Sequence, residues 1–135
     1  MVFSGRPPWW QALRKTGRVV TLVGLVALVA GTVQAEGRVP GTVALAQLPA
    51  EAQTTHRLIL AGGPFAHHKD GTVFGNRERA LPAQPRGFYH EYTVRTPGSR
   101  DRGAQRIVCG GTQPSRPAAC FYTGDHYATF RQIAP

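Results

Sequence analysis

The sequence predicts an α+β fold: a single N-terminal helix packed on an antiparallel β-sheet. Three observations carry that prediction. One segment with helical spacing occurs early, between Pro49 and Gly62. Beyond it the apolar residues recur in short runs suited to strands. Those runs are separated by turns too short to hold crossover helices, which favours antiparallel pairing.

Taken in order, residues 36–46 form a polar and small-residue lead-in, with an irregular edge at Val43 to Leu45. Pro49 and Glu51 suit a helix first turn, because proline there forfeits no intrahelical bond and the carboxylate faces the positive end of the dipole. Ala52, Thr55, Leu58 and Ile59 share one face, and Gly62-Gly63-Pro64 ends the helix. Lys69-Asp70-Gly71 is turn chemistry before the strand-like Thr72-Val73-Phe74. The two prolines of Leu81-Pro82-Ala83-Gln84-Pro85 bar it from a central strand. Phe88 to Val94 alternates, Thr96-Pro97-Gly98-Ser99 turns, and Gln105 to Cys109 extends again. Phe121-Tyr122 resumes the strand pattern, Gly124-Asp125 turns, and Tyr127 to Phe130 is expected to close the domain as the last strand.

Ahead of this domain, residues 1–35 read as an export signal. Arg6, Arg14, Lys15 and Arg18 make a basic start without an acid, and Val19 to Val33 is an uncharged stretch of signal-peptide length. Val33-Gln34-Ala35 offers a cleavage site after Ala35. The alternative is an uncleaved membrane anchor, for which the apolar run is short. The 100 residues 36–135 then suffice for one domain, secreted and without stable membrane association. Four of the 16 Lys and Arg residues and none of the seven Asp and Glu lie in the leader, leaving 12 against 7, about +5, nearly all of it arginine. An arginine-rich surface suits an anionic partner such as nucleic acid.

Both cysteines, Cys109 and Cys120, flank the turn-rich segment 110–119. In an oxidising compartment a disulfide across the base of that loop is expected. The competing readings are free thiols or a metal site, although the spacing matches no common ligand pattern.

Strand parity places Tyr89, Glu91 and Thr93 on one face, and Arg102 and Arg106, four apart, can share a face as well. The Thr96-Pro97-Gly98-Ser99 turn folds the following strand back, so that Glu91 and Arg106 can meet across a hairpin. His126 follows the Gly124-Asp125 turn. A carboxylate, a cationic pair and an imidazole suit acid and base chemistry on a phosphate. A cross-strand salt bridge and an idle loop histidine would have the same spacing.

Several stretches resemble the microbial guanyl-specific ribonucleases, the barnase family, and in particular their actinomycete branch. They include Leu48-Pro49-Ala50-Glu51-Ala52, Gly63-Pro64-Phe65, Asp70-Gly71-Thr72-Val73-Phe74-Gly75-Asn76-Arg77-Glu78, Tyr89-His90-Glu91-Tyr92-Thr93-Val94, Arg102-Gly103-Ala104-Gln105-Arg106-Ile107-Val108 and Tyr122-Thr123-Gly124-Asp125-His126-Tyr127-Ala128-Thr129-Phe130. The match runs in family order from about Val43 to Arg131.

The resemblance implies an endoribonuclease that cleaves single-stranded RNA after guanosine, with no cofactor and no metal. Glu91 would be the general base, His126 the general acid, and Arg102 and Arg106 the phosphate clamp, with Arg77 a further contributor. Glu78 would accept from guanine N1 and N2, backbone N–H groups near Asn76 and Arg77 would meet O6, and Phe74 and Tyr127 would supply stacking surface. Gly75 departs from the glutamine expected in close relatives. Ala44 stands where such relatives often carry a cysteine joined to the C-terminus. The resemblance further implies a monomer and a barstar-like intracellular inhibitor as partner. An exported, non-catalytic RNA-binding module and a toxin built on the same nuclease chemistry are the alternative roles.

Overall fold

The computed structural model describes residues 40–135. The expected leader, residues 1–35, lies outside the described residues, as does the boundary at Glu36. Along the chain follow β1 (Gly41–Ala44), a 3-10 turn (Leu45–Gln47), α1 (Ala50–Ala61), β2 (Thr72–Val73), β3 (Tyr89–Thr93), β4 (Arg106–Gly110), β5 (Ala119–Thr123) and β6 (Arg131–Ala134). The strands form one sheet in the order β1-β6-β5-β4-β3-β2. Among the described residues no helix is long and apolar enough to cross a membrane.

The helix begins and ends where its sequence dictates. The Pro49 carbonyl accepts from Ala52 and Gln53 N–H at 2.9 and 3.1 Å, and the Gln53 side chain donates to the Leu48 carbonyl at 3.0 Å. At the other end Gly62, with φ of 79°, takes the left-handed conformation that glycine adopts without a Cβ clash. Its N–H and that of Gly63 return to the carbonyls of Ile59 and Leu58. Ala52, Thr55 and Ile59 are buried, while Leu58, expected on the same face, is only half-buried. The Thr55 hydroxyl donates to the Thr93 carbonyl at 3.2 Å and so fastens the helix to β3.

The sheet is mixed rather than wholly antiparallel. From β2 to β6 every neighbouring pair is antiparallel, but β1 runs parallel to β6, with Val43 beside Ile133. The lead-in expected to be irregular is thus a short edge strand. Val43 fixes its register, because a slip of one residue would take this buried side chain out of the core. The last strand also falls later than the sequence pattern indicates. Residues 127–130 form a loop, and β6 starts only at Arg131.

Strand parity divides the core. Tyr92, Val94, Ile107 and Tyr122 face the helix with Ala52 and Ile59. Tyr89, Val108 and Phe121 point to the opposite face, where Leu81 and Phe130 from the loops cover them. Ile107 has no exposed surface, so truncation to alanine would cost about 2–5 kcal/mol. That is a large share of the stability of one small domain. The second face also carries Glu91, Thr93 and Arg106, and it is there that the polar residues gather.

Candidate active site

Glu91 lies at the centre of β3, paired with Thr72 of β2 and Val108 of β4, so its backbone is held from both sides. Its Oε2 accepts a hydrogen bond from the Tyr127 hydroxyl at 2.7 Å, and its Oε1 lies 3.8 Å from an Arg102 Nη2. Arg102 is in turn oriented by Thr93, whose hydroxyl accepts from Nε and Nη2 at 3.0 and 2.8 Å. Thr93 lies two residues beyond Glu91 on the same face, which makes the strand period the source of this alignment.

Arg106 lies on the face of Glu91, as parity allows, but the ion pair of Glu91 is with Arg102. The direct cross-strand neighbours of Arg106 are Thr93 and Thr123. The side chain is almost fully buried, and one Nη1 donates to the carbonyls of Arg102, Gly103 and Gln105 at 3.3, 2.9 and 2.7 Å. Its guanidinium carbon is 5.9 Å from the centre of the Tyr127 ring. Among the described residues its buried Nε has no hydrogen-bond partner. Among the described residues Arg106 forms no ion pair, and a buried cation met by carbonyl dipoles and a ring face attracts an anion. Gly103 allows this arrangement: its φ is 63°, and a Cβ there would collide with Thr96.

His126 is presented by a loop that one carboxylate organises. Asp125 accepts from the Thr129 hydroxyl at 2.6 Å, the Thr129 N–H at 2.9 Å and the Thr123 hydroxyl at 2.8 Å. These bonds, those from Thr129 foremost, hold its carboxyl down at about 2. They also explain why residues 127–130 fail to extend as a strand, since local side-chain to backbone bonds compete with the ladder. His126 and Tyr127 both have positive φ, 53° and 70°. The His126 N–H donates to the Ala104 carbonyl at 3.0 Å, which ties the imidazole loop to the arginine loop. The His126 and Tyr127 rings meet edge to face, with centroids 4.8 Å apart. Burial, and after it the bond to Glu91, raises the Tyr127 phenol above its ordinary range, so its proton stays on as donor.

Beside these groups lies a cavity of about 400 Å³. Phe74, Asn76, Arg77, Glu78, Tyr127 and His126 all line it, so every residue expected to bind the base meets the expected acid there. The Asn76 side chain is committed to the loop itself, donating to the Leu81 carbonyl at 2.9 Å and accepting from the Leu81 N–H at 3.0 Å. Leu81 is fully buried, so this pair anchors the whole segment 76–81. Phe74 and Tyr127 stack with centroids 5.3 Å apart at 25°. Glu78 is exposed and forms no ion pair or side-chain hydrogen bond among the described residues, leaving both carboxylate oxygens open to a ligand. At Gly75 a Cβ would make only ordinary contacts with Arg77, at 3.5 Å or more.

Sequence reading named Glu91, Arg102, Arg106, His126 and the lining residues, but it missed Thr93 and Asp125 as their supports. The Thr123-Gly124-Asp125 turn and the β3 alternation were the signals that could have found them. The cysteines are joined as expected. Cys109 and Cys120 stand directly opposite on β4 and β5 and form a disulfide with Cα atoms 4.1 Å apart.

One helix on a mixed six-stranded sheet, with a carboxylate, an imidazole and two guanidiniums gathered beside a small aromatic cavity, is the architecture of an α+β microbial ribonuclease. The family profile described as ribonuclease matches residues 31–134. Guanyl-specific ribonuclease Sa of Kitasatospora aureofaciens is 55% identical over 96 residues, covering 70% of this chain and 95% of that protein. Guanyl-specific ribonuclease St of Saccharopolyspora erythraea is 53% identical over 89 residues, covering 66% and 83%. A crystal structure of ribonuclease Sa2 with guanosine-2'-cyclophosphate has a TM-score of 0.64 and 45% identity, covering 71% of this chain and 97% of that one. The chain belongs to the ribonuclease family.

Proposed function

We infer that this protein is an endoribonuclease that cleaves single-stranded RNA after guanosine. The observation that carries the reading is the double role of Tyr127: it lines the cavity for the base, and its hydroxyl holds Glu91. Recognition and chemistry are thereby coupled through one side chain. Substrates or products named for relatives agree with it, since ribonuclease Sa2 has been crystallised with guanosine-2'-cyclophosphate and with 3'-GMP.

RNA carries its own nucleophile, the 2'-hydroxyl, so the protein must supply a base, an acid and charge stabilisation, without a metal. Glu91 takes the 2'-hydroxyl proton as that oxygen attacks phosphorus. Protonated His126 gives a proton to the departing 5'-oxygen, leaving a 2',3'-cyclic phosphate. Water then opens the ring to the 3'-phosphate with the two roles reversed. Arg106, whose charge no carboxylate shares directly, and Arg102 stabilise the extra negative charge on the phosphoryl oxygens, with Arg77 nearby.

Guanine is selected by Glu78, which accepts from N1 and N2, while backbone N–H groups of the Asn76-held turn meet O6. Another base would leave these polar groups unpaired. The protein is exported by the segment 1–35 and acts outside the cell as a monomer. A barstar-like inhibitor whose acidic surface complements the arginine-rich site is the intracellular partner that fits it. Digestion of a defined oligoribonucleotide tests the reading: cuts after guanosine leaving cyclic phosphate ends support it, and cuts after every base, or 5'-phosphate ends, overturn it.

A further inference from the structure

Beside the guanine cavity, and sharing Phe74, Gly75 and Arg77 with it, lies a larger groove of about 650 Å³. Lys69, Thr72, Val73, Gln84, Arg86 and Glu91 complete its walls. That is ample for a nucleotide-sized ligand. Lys69, Arg77 and Arg86 are exposed, and among the described residues none of the three forms an ion pair. The one carboxylate in the lining is Glu91, already engaged by Arg102 and Tyr127. Asp70, next to Lys69, accepts from the backbone N–H groups of Thr93 and His67 instead. The lining therefore carries three cations against one carboxylate, a net positive channel.

Two turns hold the outer cations in place. Thr72 returns to the Lys69 carbonyl through its N–H at 3.2 Å and its hydroxyl at 2.8 Å. Arg86 sits in the turn closed by the Phe88 N–H to the Pro85 carbonyl at 3.1 Å. These turns flank the β2–β3 ribbon, where Thr72 pairs with Glu91 and Val73 with His90. Between the two turns Val73 leaves half its surface exposed, an apolar seat beside the charges.

The direction of the channel follows from the reaction geometry. Attacking and leaving oxygens lie on opposite sides of phosphorus in an in-line displacement. The leaving nucleotide must therefore depart past the acid, His126, and away from the base, Glu91. The groove holds Glu91 and not His126. It lies on the side of the guanosine ribose and of whatever precedes it in the strand.

We propose that this groove is the subsite for the nucleotide on the 5' side of the recognised guanosine, with Lys69 and Arg86 binding the phosphodiester that joins them. The assignment rests on the guanyl-specific ribonuclease reading above. Neither Lys69 nor Arg86 lines the guanine cavity or touches Glu91 by a hydrogen bond or ion pair. A substrate with nothing on its 5' side has no phosphate for them to hold.

The test uses three substrates with one cleavable bond each: a guanosine ribonucleotide joined to deoxycytidine, the same molecule extended by one deoxycytidylate at its 5' end, and the same molecule extended at its 3' end. At low salt the unmodified protein should cleave the 5'-extended substrate with kcat/KM about threefold to tenfold above the unextended one, as expected for one or two exposed phosphate contacts. In the double variant Lys69→Gln, Arg86→Gln that advantage should fall below about twofold, while cleavage of the unextended substrate stays within about twofold of the original. An equal loss on all three substrates, a loss confined to the 3'-extended one, or no 5' advantage in the unmodified protein would overturn the subsite and leave the ribonuclease reading standing. Failure of the unmodified protein to cut the unextended substrate would remove both.

Discussion

The Tyr127 hydroxyl donates to Glu91 Oε2 across 2.7 Å, joining residues 36 positions apart in the chain. The bond fixes the carboxylate's rotation while leaving Oε1 toward Arg102. Tyr127→Phe removes the donor and keeps the ring against Phe74. We expect kcat to fall about threefold to tenfold, the scale of one lost positioning hydrogen bond, with KM for a guanosine substrate little changed. Steady-state kinetics on a dinucleotide checks the split. A change confined to KM would remove the positioning role.

Glu91 must be ionised and His126 protonated in the same molecule for the first step, so the rate of transesterification is expected to be bell-shaped in pH. Glu91→Gln should abolish the acid limb and His126→Ala the basic limb. Each should lower kcat/KM by about two to four orders of magnitude. A pH-rate profile of the three proteins checks this, and a flat profile for the unmodified protein would sink the assignment.

Glu78 faces the cavity with both oxygens open. Glu78→Gln keeps the shape but replaces one acceptor with a donor that opposes guanine's own donors. The preference for guanosine over inosine and adenosine dinucleotides should collapse by about two orders of magnitude or more. Thermal stability should stay unchanged, since the side chain forms no ion pair among the described residues. Competition assays with the three substrates read the first outcome and a melting curve the second.

Asp125 has a folded-state carboxyl at about 2, below its ordinary value of 3.8. A depressed value means that the folded state favours the ionised form, so the stabilisation is complete above about pH 4 and fades as pH falls toward 2. Asp125→Ala should therefore be less stable than the unmodified protein at pH 6, and the gap should be much narrower at pH 2. Because the carboxylate is exposed, solvent screening keeps the gap small, on the order of 1 kcal/mol. Its loss should also lower kcat, by loosening the loop that carries His126. Urea titrations at the two pH values decide the point.

Cys109→Ala with Cys120→Ala opens a loop of sequence separation 11. The chain-entropy model gives a loss of about 3 kcal/mol, to be measured as a lower melting temperature. The folded double variant should retain activity, since the sulfurs lie in the helix-side core and not on the face that carries Glu91.

How much of this could be read in the sequence depended on how local its causes were. Pro49 and Gly62 bound α1 through their own backbones, and the helix lies where they put it. The alternation of 88–94 likewise placed Glu91 and Thr93 on one face. The parallel β1–β6 pair was hidden because Gly41–Ala44 is four residues long and its partner lies some 90 positions away. Residues 127–130 read as strand on composition, and only the tertiary geometry of Asp125 shows why they turn. Which of the two arginines pairs with Glu91 was not legible for a related reason. Parity names the face a residue occupies, but the register that sets Arg106 beside Thr93, and the loop that swings Arg102 inward, are long-range facts. The match to the family motifs supplied what spacing could not.

The Cys109–Cys120 bridge closes the β4–β5 ribbon just short of its tip, with only the Gly110 and Ala119 pair beyond it. Arg106 and Thr123 stand at the other end of the same ribbon. The loop 111–118 is thus sealed off from the chemistry by a covalent clasp. It is the natural attachment point for a fluorophore, an affinity tag or a grafted recognition peptide: cargo there would ride on the enzyme without disturbing the register on which Arg106 depends.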